Sequence, residues 1–371
     1  MQLVTTKKIH NKRLAKGCRQ CVYGRKSVLF ITSRCHYTCF YCPISDDKRA
    51  KETVKINEHF IKKPDSKSAI NELIREIELS QSKGVGITGG DPLATPARTL
   101  KYIEALKSHF GRRFHIHLYT SPQFVTRDKL EKLSLSGLDE LRFHLNVESD
   151  ALWDRVNLAK GLKFSVGVEV PAVPTLLDES KKLLDFCKKN SLIKFVNLNE
   201  LEYSDAGIQI LAKRGFFTKD SLSYAIAHSE AAAIKLVEYG KSIGLRVHYC
   251  SAQFKDAVQL GNRIRLRAQS VVRPHELVDE EGMIIRGEIH SKKNNISSRQ
   301  MSAFGVKAEK LFNIPRQFFE VHDKVLMVRP DVLEEIWPLF DQIYPKKELS
   351  ARIVSEYPTD DHLLVEVHPL N

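Results

Sequence analysis

The chain has 371 residues, 42% of them hydrophobic and 28% charged, with a formal net charge of +13. That is enough apolar material for one large domain and a smaller one, and no apolar run approaches the roughly 18–20 residues of a membrane helix. The opening stretch MQLVTTKKIHNKRLAKGCRQC is basic without an apolar core behind it, so it does not read as a signal peptide, and a cytoplasmic protein is expected.

In chain order, the first motif is Cys18-x2-Cys21, inside a basic N-terminal segment, 1–25. KSVLFIT (26–32) is apolar, β-branched and aromatic, which predicts a buried strand. RCHYTCFYCP (34–43) follows and holds Cys35, Cys39 and Cys42. SKSAINELIREIELSQSKG (66–84) spaces Ile70, Leu73, Ile74 and Ile77 as one helical face. VGIT (85–88) predicts a strand, the loop GGDP comes next, and PARTLKYIEALKSHFG predicts a helix. The same alternation recurs through FHIHLYT, DELRFHLN, FSVGVEVPAV, IKFVNLNEL and LRVHYC, each but the last followed by a helical run. Six β-then-α units predict a parallel sheet with helices outside it. A partial (β/α)6-type TIM barrel over 26–254 is the first expectation, an open doubly wound sheet the second.

From about residue 255 the pattern changes. NRIRLRAQSVV, MIIRGEIH and DKVLMVR read as short strands, which predicts a smaller α+β or β-rich accessory domain over 255–371. On that reading Arg263, Arg265 and Arg267 share one strand face, a nucleic-acid contact or simply an exposed face. The charge is uneven. Residues 1–65 carry +10 and residues 255–371 carry −1. A basic excess beside a cysteine cluster suits a polyanion such as RNA, or a plain lysine-rich surface.

Five of the seven cysteines fall within residues 18–42. Without an export signal, such a cluster points to metal or catalysis rather than disulfides. Two readings compete. Cys18-x2-Cys21 and Cys39-x2-Cys42 have the spacing of a four-cysteine zinc ribbon, which would make a nucleic-acid-binding protein with Cys35 incidental. Against it, the intervening KSVLFIT is too apolar for a ribbon strand. Cys35 then falls in the loop after that strand, and the next strand also ends in a loaded loop, GGDP. Cys35-x3-Cys39-x2-Cys42 alone suits three irons of a [4Fe–4S] cluster, leaving the fourth open. An open metal position marks a catalytic site.

CHYTCFYC followed by a strand-end GGDP resembles the radical S-adenosylmethionine (SAM) superfamily, and over residues 18–250 the chain is similar to a largely archaeal group related to pyruvate formate-lyase activating enzyme. The resemblance implies a [4Fe–4S] cluster on Cys35, Cys39 and Cys42, with SAM chelating the open iron. It places Gly89, Gly90 and Asp91 against the SAM amino group and Tyr41 near the adenine. It implies reductive cleavage of SAM to a 5′-deoxyadenosyl radical that abstracts hydrogen, fed by a ferredoxin- or flavodoxin-type electron donor. The substrate expected is RNA, or else a protein glycyl residue, peptide or small metabolite. Arg142 and Glu169 are further candidates for SAM contact.

Cys18 and Cys21 exceed the minimal pattern. With Cys250, and His248 or His36 as a fourth ligand, they are expected to hold a second Fe–S cluster or zinc; reduced thiols are the plain alternative. Strand ends add Tyr119, His144, Asn146, Asn199 and Glu202 as inward-facing candidates, and Cys187 reads as core.

Overall fold

The computed structural model of the chain describes residues 14–35, 39–42, 51–204 and 207–370. It divides into a first unit, Met1–Glu78 with Ser82–Asn262, and a second, Leu79–Gln81 with Arg263–Asn371.

The first unit opens with a short helix α1 (Lys16–Val22) and strand β1 (Ser27–Phe30). An antiparallel pair, β2 (Lys55–Ile56) and β3 (His59–Phe60), borders β1. The repeating units are α2 (Ser68–Leu79), β4 (Gly84–Thr88), α3 (Pro96–Phe110), β5 (His115–Thr120), α4 (Arg127–Leu135) and β6 (Glu140–Phe143). They continue with a 3-10 run at Trp153–Ala159, β7 (Ser165–Ala172), α5 (Leu177–Lys189), β8 (Ile193–Glu200), α6 (Ile208–Lys213), α7 (Ser229–Ser242) and β9 (Val247–Cys250). The strands pair in the order β3-β2-β1-β4-β5-β6-β7-β8-β9. β1 and β4 through β9 are parallel throughout. This is a partial (β/α) barrel.

Both faces of its strands are buried, yet they differ in chemistry. On β5, Ile116 and Leu118 pack into the helix-facing core, while His117 and Tyr119 line the lumen. The same alternation puts Arg142, Glu169, Asn197, Asn199, His248 and Cys250 inside, and Leu141, Val168, Val196, Leu198, Val247 and Tyr249 outside. Runs such as HIHLYT are therefore strands whose polar positions face an enclosed cavity rather than solvent.

In the second unit, α8 (Gly261–Val271) leads to β10 (Leu277–Val278), β11 (Ile284–Ser291), α9 (Ser298–Phe312), β12 (Phe319–His322), β13 (Val325–Val328), α10 (Pro330–Ile336), β14 (Leu349–Glu356) and β15 (Leu364–Leu370). Its sheet runs β12-β13-β11-β14-β15, all antiparallel, with β10 on β11. Helix α9 starts at a capping box, Ser297 with Gln300, and buries Met301, Phe304 and Ala308.

One strand expected from the sequence is a helix. NRIRLRAQSVV forms α8, so Arg263, Arg265 and Arg267 do not share a strand face. Ile264 and Ala268, one helical turn apart, are its buried apolar pair, with Arg267 buried beside them, and Leu, Arg, Ala and Gln all favour helix. Among the described residues, no helix is long and apolar enough to cross a membrane.

Candidate active site

The loop after β4 is laid against the segment that follows β1. Gly90 donates its N–H to the Thr32 carbonyl at 2.7 Å, and Asp91 donates to the Arg34 carbonyl at 2.8 Å. No side chain fits there. A Cβ on Gly90 would lie 2.2 Å from the Arg34 oxygen, and one on Gly89, at φ +143°, 2.3 Å from the Thr32 oxygen. Only glycine permits both that dihedral and that approach. The two loops flagged in the sequence are thus joined by main-chain bonds one residue before Cys35.

Asp91 is tied into the neighbouring strand end. Its carboxylate accepts from Leu93 N at 2.8 Å, Ser121 N at 2.7 Å and Thr120 Oγ1 at 2.9 Å. Burial pushes its pKa up to about 6, against those bonds. The carboxylate thus braces the ends of β4 and β5 from the wall of the cavity.

Cys35, Cys39 and Cys42 line one cavity of about 600 Å³ together with Gly89 and Gly90. The cysteine loop is held from two sides. Ser204, after β8, donates to the Cys42 carbonyl at 3.2 Å, and Phe40 stacks on Phe216 at 6.3 Å. On the other side, the Tyr41 hydroxyl meets His144 Nε2 at 2.8 Å, with Cys39 Sγ 3.8 Å from the same nitrogen. Three soft thiol donors at the C-x3-C-x2-C spacing, opening onto one cavity with Gly89 and Gly90, are the donor set of a three-cysteine cluster with SAM beside it, although the described side chains are not drawn together around one metal position.

Deeper in the lumen, Arg142 is the hub. Its guanidinium pairs with Glu140 at 2.6 Å and Glu169 at 2.8 Å, and also donates to Tyr119 Oη at 3.2 Å and Cys18 Sγ at 3.5 Å. Those contacts fix the guanidinium at the lumen floor, beside Glu169. Glu169 has capacity left. Although burial opposes its ionisation, Arg142 and the amides of Asn197 and Asn199 hold it below the ordinary carboxylate range. It is an ionised acceptor aimed into the cavity.

Helix α1 lies across the N-terminal end of the lumen. A Cβ on Gly17 would come within 2.7 Å of both Arg142 and His117. Asn197 donates to Cys18 Sγ at 3.3 Å, and burial raises the Cys18 thiol pKa. Burial likewise pushes Cys21 up to about 11 and Cys250 up to about 12. These three and His248 line the same cavity as the cluster cysteines. No three His, Cys, Asp or Glu side chains among the described residues stand grouped for a metal ion; His36 lies outside the described residues.

Of the strand-end candidates, Tyr119, His144, Glu169, Asn199 and Glu202 do reach the cavity. Asn146 does not; it shapes its own loop, accepting from Glu148 N and, through its carbonyl, from Trp153 Nε1. Cys187 is buried in the helix-facing core. Missed from the sequence were Asn197, Lys255 and Gln259. Lys255 pairs with Glu202, and Gln259 donates to Cys250 Sγ at 3.2 Å. Both stand on a π-helical turn, Lys255–Leu260, a backbone form that leaves no periodicity to read.

Comparison with known proteins agrees with this geometry. Residues 29–188 match the Radical SAM superfamily, and residues 282–370 match a domain of unknown function, DUF8061. The chain is 38% identical over 367 residues to a Methanocaldococcus jannaschii protein named as a candidate glycyl-radical enzyme activating enzyme, covering 96% of this chain and 93% of that one. Two solved structures are more distant. Methylornithine synthase (TM-score 0.40, 14% identity) covers 64% of this chain and 79% of its own. Escherichia coli coproporphyrinogen III oxidase (TM-score 0.36, 11% identity) covers 90% and 94%.

Proposed function

The chain belongs to the radical SAM superfamily, and from that premise we propose that it abstracts hydrogen from a glycyl or other peptide segment inserted into the barrel lumen. Cys35, Cys39 and Cys42 would hold the [4Fe–4S] cluster, which when bound would supply the electron for reductive cleavage of SAM. The main chain at Gly89 and Gly90 forms the cradle beside it. The observation that carries the reading is the shared cavity. The cluster cysteines and the glycine cradle open onto the same lumen as Glu169, Asn197 and Asn199, an acceptor and two amides that suit peptide N–H and C=O groups. The name borne by the archaeal relative points the same way. Seven cysteines, none in a disulfide, suit the reducing setting of the cytoplasm.

The +10 charge of residues 1–65 favours a second reading, an RNA substrate. One experiment separates them. Anaerobic protein is given SAM, a low-potential reductant of the ferredoxin or flavodoxin type, and either the protein or the RNA fraction of a cell extract, and 5′-deoxyadenosine is assayed. Protease-sensitive stimulation by the protein fraction bears out the first reading. Nuclease-sensitive stimulation by RNA alone replaces it with the second.

A further inference from the structure

We propose that His144 is a positioning residue for the cysteine loop, and that its bond to Tyr41 sets how tightly SAM is held. The inference rests on the radical SAM reading above and goes on to assign a role to a residue outside the cluster motif.

His144 is itself rigidly placed. It directly follows β6, and its N–H donates to the Thr120 carbonyl at 2.9 Å, extending the β5–β6 ladder by one residue. Its Nδ1 lies 3.0 Å from the Glu169 carbonyl oxygen on β7. A carbonyl can only accept, so Nδ1 carries the hydrogen and Nε2 is the acceptor of the neutral ring; the tautomer follows from the partners. Nε2 then receives the Tyr41 hydroxyl at 2.8 Å, with the two rings edge to face at 5.6 Å. Cys39 Sγ sits 3.8 Å from the same nitrogen, so the bond forms within the first contact layer of the cluster ligands.

One imidazole, anchored on two neighbouring strands, therefore fixes Tyr41, the aromatic residue just before Cys42, in one orientation. That residue is the one expected beside the SAM adenine. Setting its orientation in advance removes an ordering cost that SAM binding would otherwise bear. His144 lines the cavity, but its Nδ1 is taken up by the Glu169 carbonyl and its Nε2 by the Tyr41 hydroxyl, so its effect passes through Tyr41.

The test uses full-length protein with reconstituted cluster, titrated with SAM in the reduced state and followed by the electron paramagnetic resonance (EPR) change that SAM produces. Wild type is compared with His144→Phe, which keeps the ring and loses both bonds, and with His144→Gln, which retains one donor and one acceptor. Tyr41→Phe and the Tyr41→Phe/His144→Phe double variant complete the cycle. His144→Phe is expected to weaken SAM binding about 5- to 10-fold, the loss of one buried hydrogen bond. His144→Gln recovers part of that loss, and the double variant is no weaker than the weaker single one. SAM binding at wild-type strength in His144→Phe, or losses that add in the double variant, overturns the proposal. Where His144→Phe fails to fold, Tyr41→Phe carries the same expectation, and unchanged binding there overturns it equally. A wild-type protein that takes up no EPR-active cluster defeats the underlying reading instead, so the two failures are distinct.

Discussion

Arg142 and Glu169 meet across neighbouring strands, Nη1 to Oε2 at 2.8 Å, in a lumen where neither side chain is more than 14% exposed. Glu140 shares the same guanidinium at 2.6 Å, so one buried cation serves two buried carboxylates. Removing it strands both. Arg142→Met is expected to destabilise the first unit by about 3–5 kcal/mol, read as a fall in the denaturant midpoint. Glu169→Gln, which keeps the amide partners Asn197 and Asn199 in reach, should cost less. Equal stability of Arg142→Met and wild type would show that the ion pair is not desolvated as described.

Cys35→Ala is expected to abolish the broad visible absorbance of the reconstituted cluster and the formation of 5′-deoxyadenosine. Thermal unfolding should move little, because Cys35 lies in a loop only partly buried at the cavity wall. If instead Cys18→Ala and Cys39→Ala removed the metal and Cys35→Ala did not, the zinc-ribbon pairing would return.

Gly90→Ala tests the union of the two loops. Its Cβ has no place beside the Arg34 carbonyl, which is backbone and cannot swing aside. The variant is expected to lose SAM cleavage almost completely, with a drop in stability of about 1–3 kcal/mol from local displacement. Iron uptake measured alongside shows whether the cradle or the cysteine loop gives way.

The second unit offers a pH test. Burial works against Glu288, yet His290, Arg352 and Arg286 hold its pKa down to about 2 from an ordinary value of 4.5. A depressed carboxyl pKa stabilises the fold above the unfolded-state value, and that stability is lost as pH falls from about 4.5 towards 2. Glu288→Gln should therefore flatten acid unfolding of this unit over that window, by about 3 kcal/mol in total. An unchanged acid limb in Glu288→Gln would assign the sensitivity elsewhere.

The role of the N-terminal pair is open to metal analysis. We propose that Cys18, Cys21 and Cys250 bind a second cluster or zinc. Iron and zinc per chain should then fall in Cys18→Ala/Cys21→Ala, while the cluster on Cys35, Cys39 and Cys42 persists. Identical metal content in the two proteins would leave them as buried thiols.

Much of this site can be read in the amino acids alone. Cys35 three residues past one strand and Gly89 at the end of the next put both motifs at one sheet edge, because parallel strands share a direction. Partner choice was harder to read. Asp91 carries the acid of the motif, but which hydrogen bonds its carboxylate accepts depends on Thr120 and Ser121, thirty residues on. NRIRLRAQSVV misled because Arg and apolar residues alternating every second position also fit a helix when two apolar positions fall four apart. Helix α1 is too short to show a period of its own; the lumen, through Arg142 and Asn197, gives it a seat.

That seat bears on the order of events in catalysis. With α1 set across the N-terminal end, the deep groups around Glu169 and Asn197 are approached from the end that carries the cysteine loop. On the function proposed above, a substrate that uses them passes the Gly89–Gly90 turn where SAM would sit. Steady-state kinetics should accordingly show compulsory sequence: substrate first, SAM second, and 5′-deoxyadenosine gone before the modified substrate can leave.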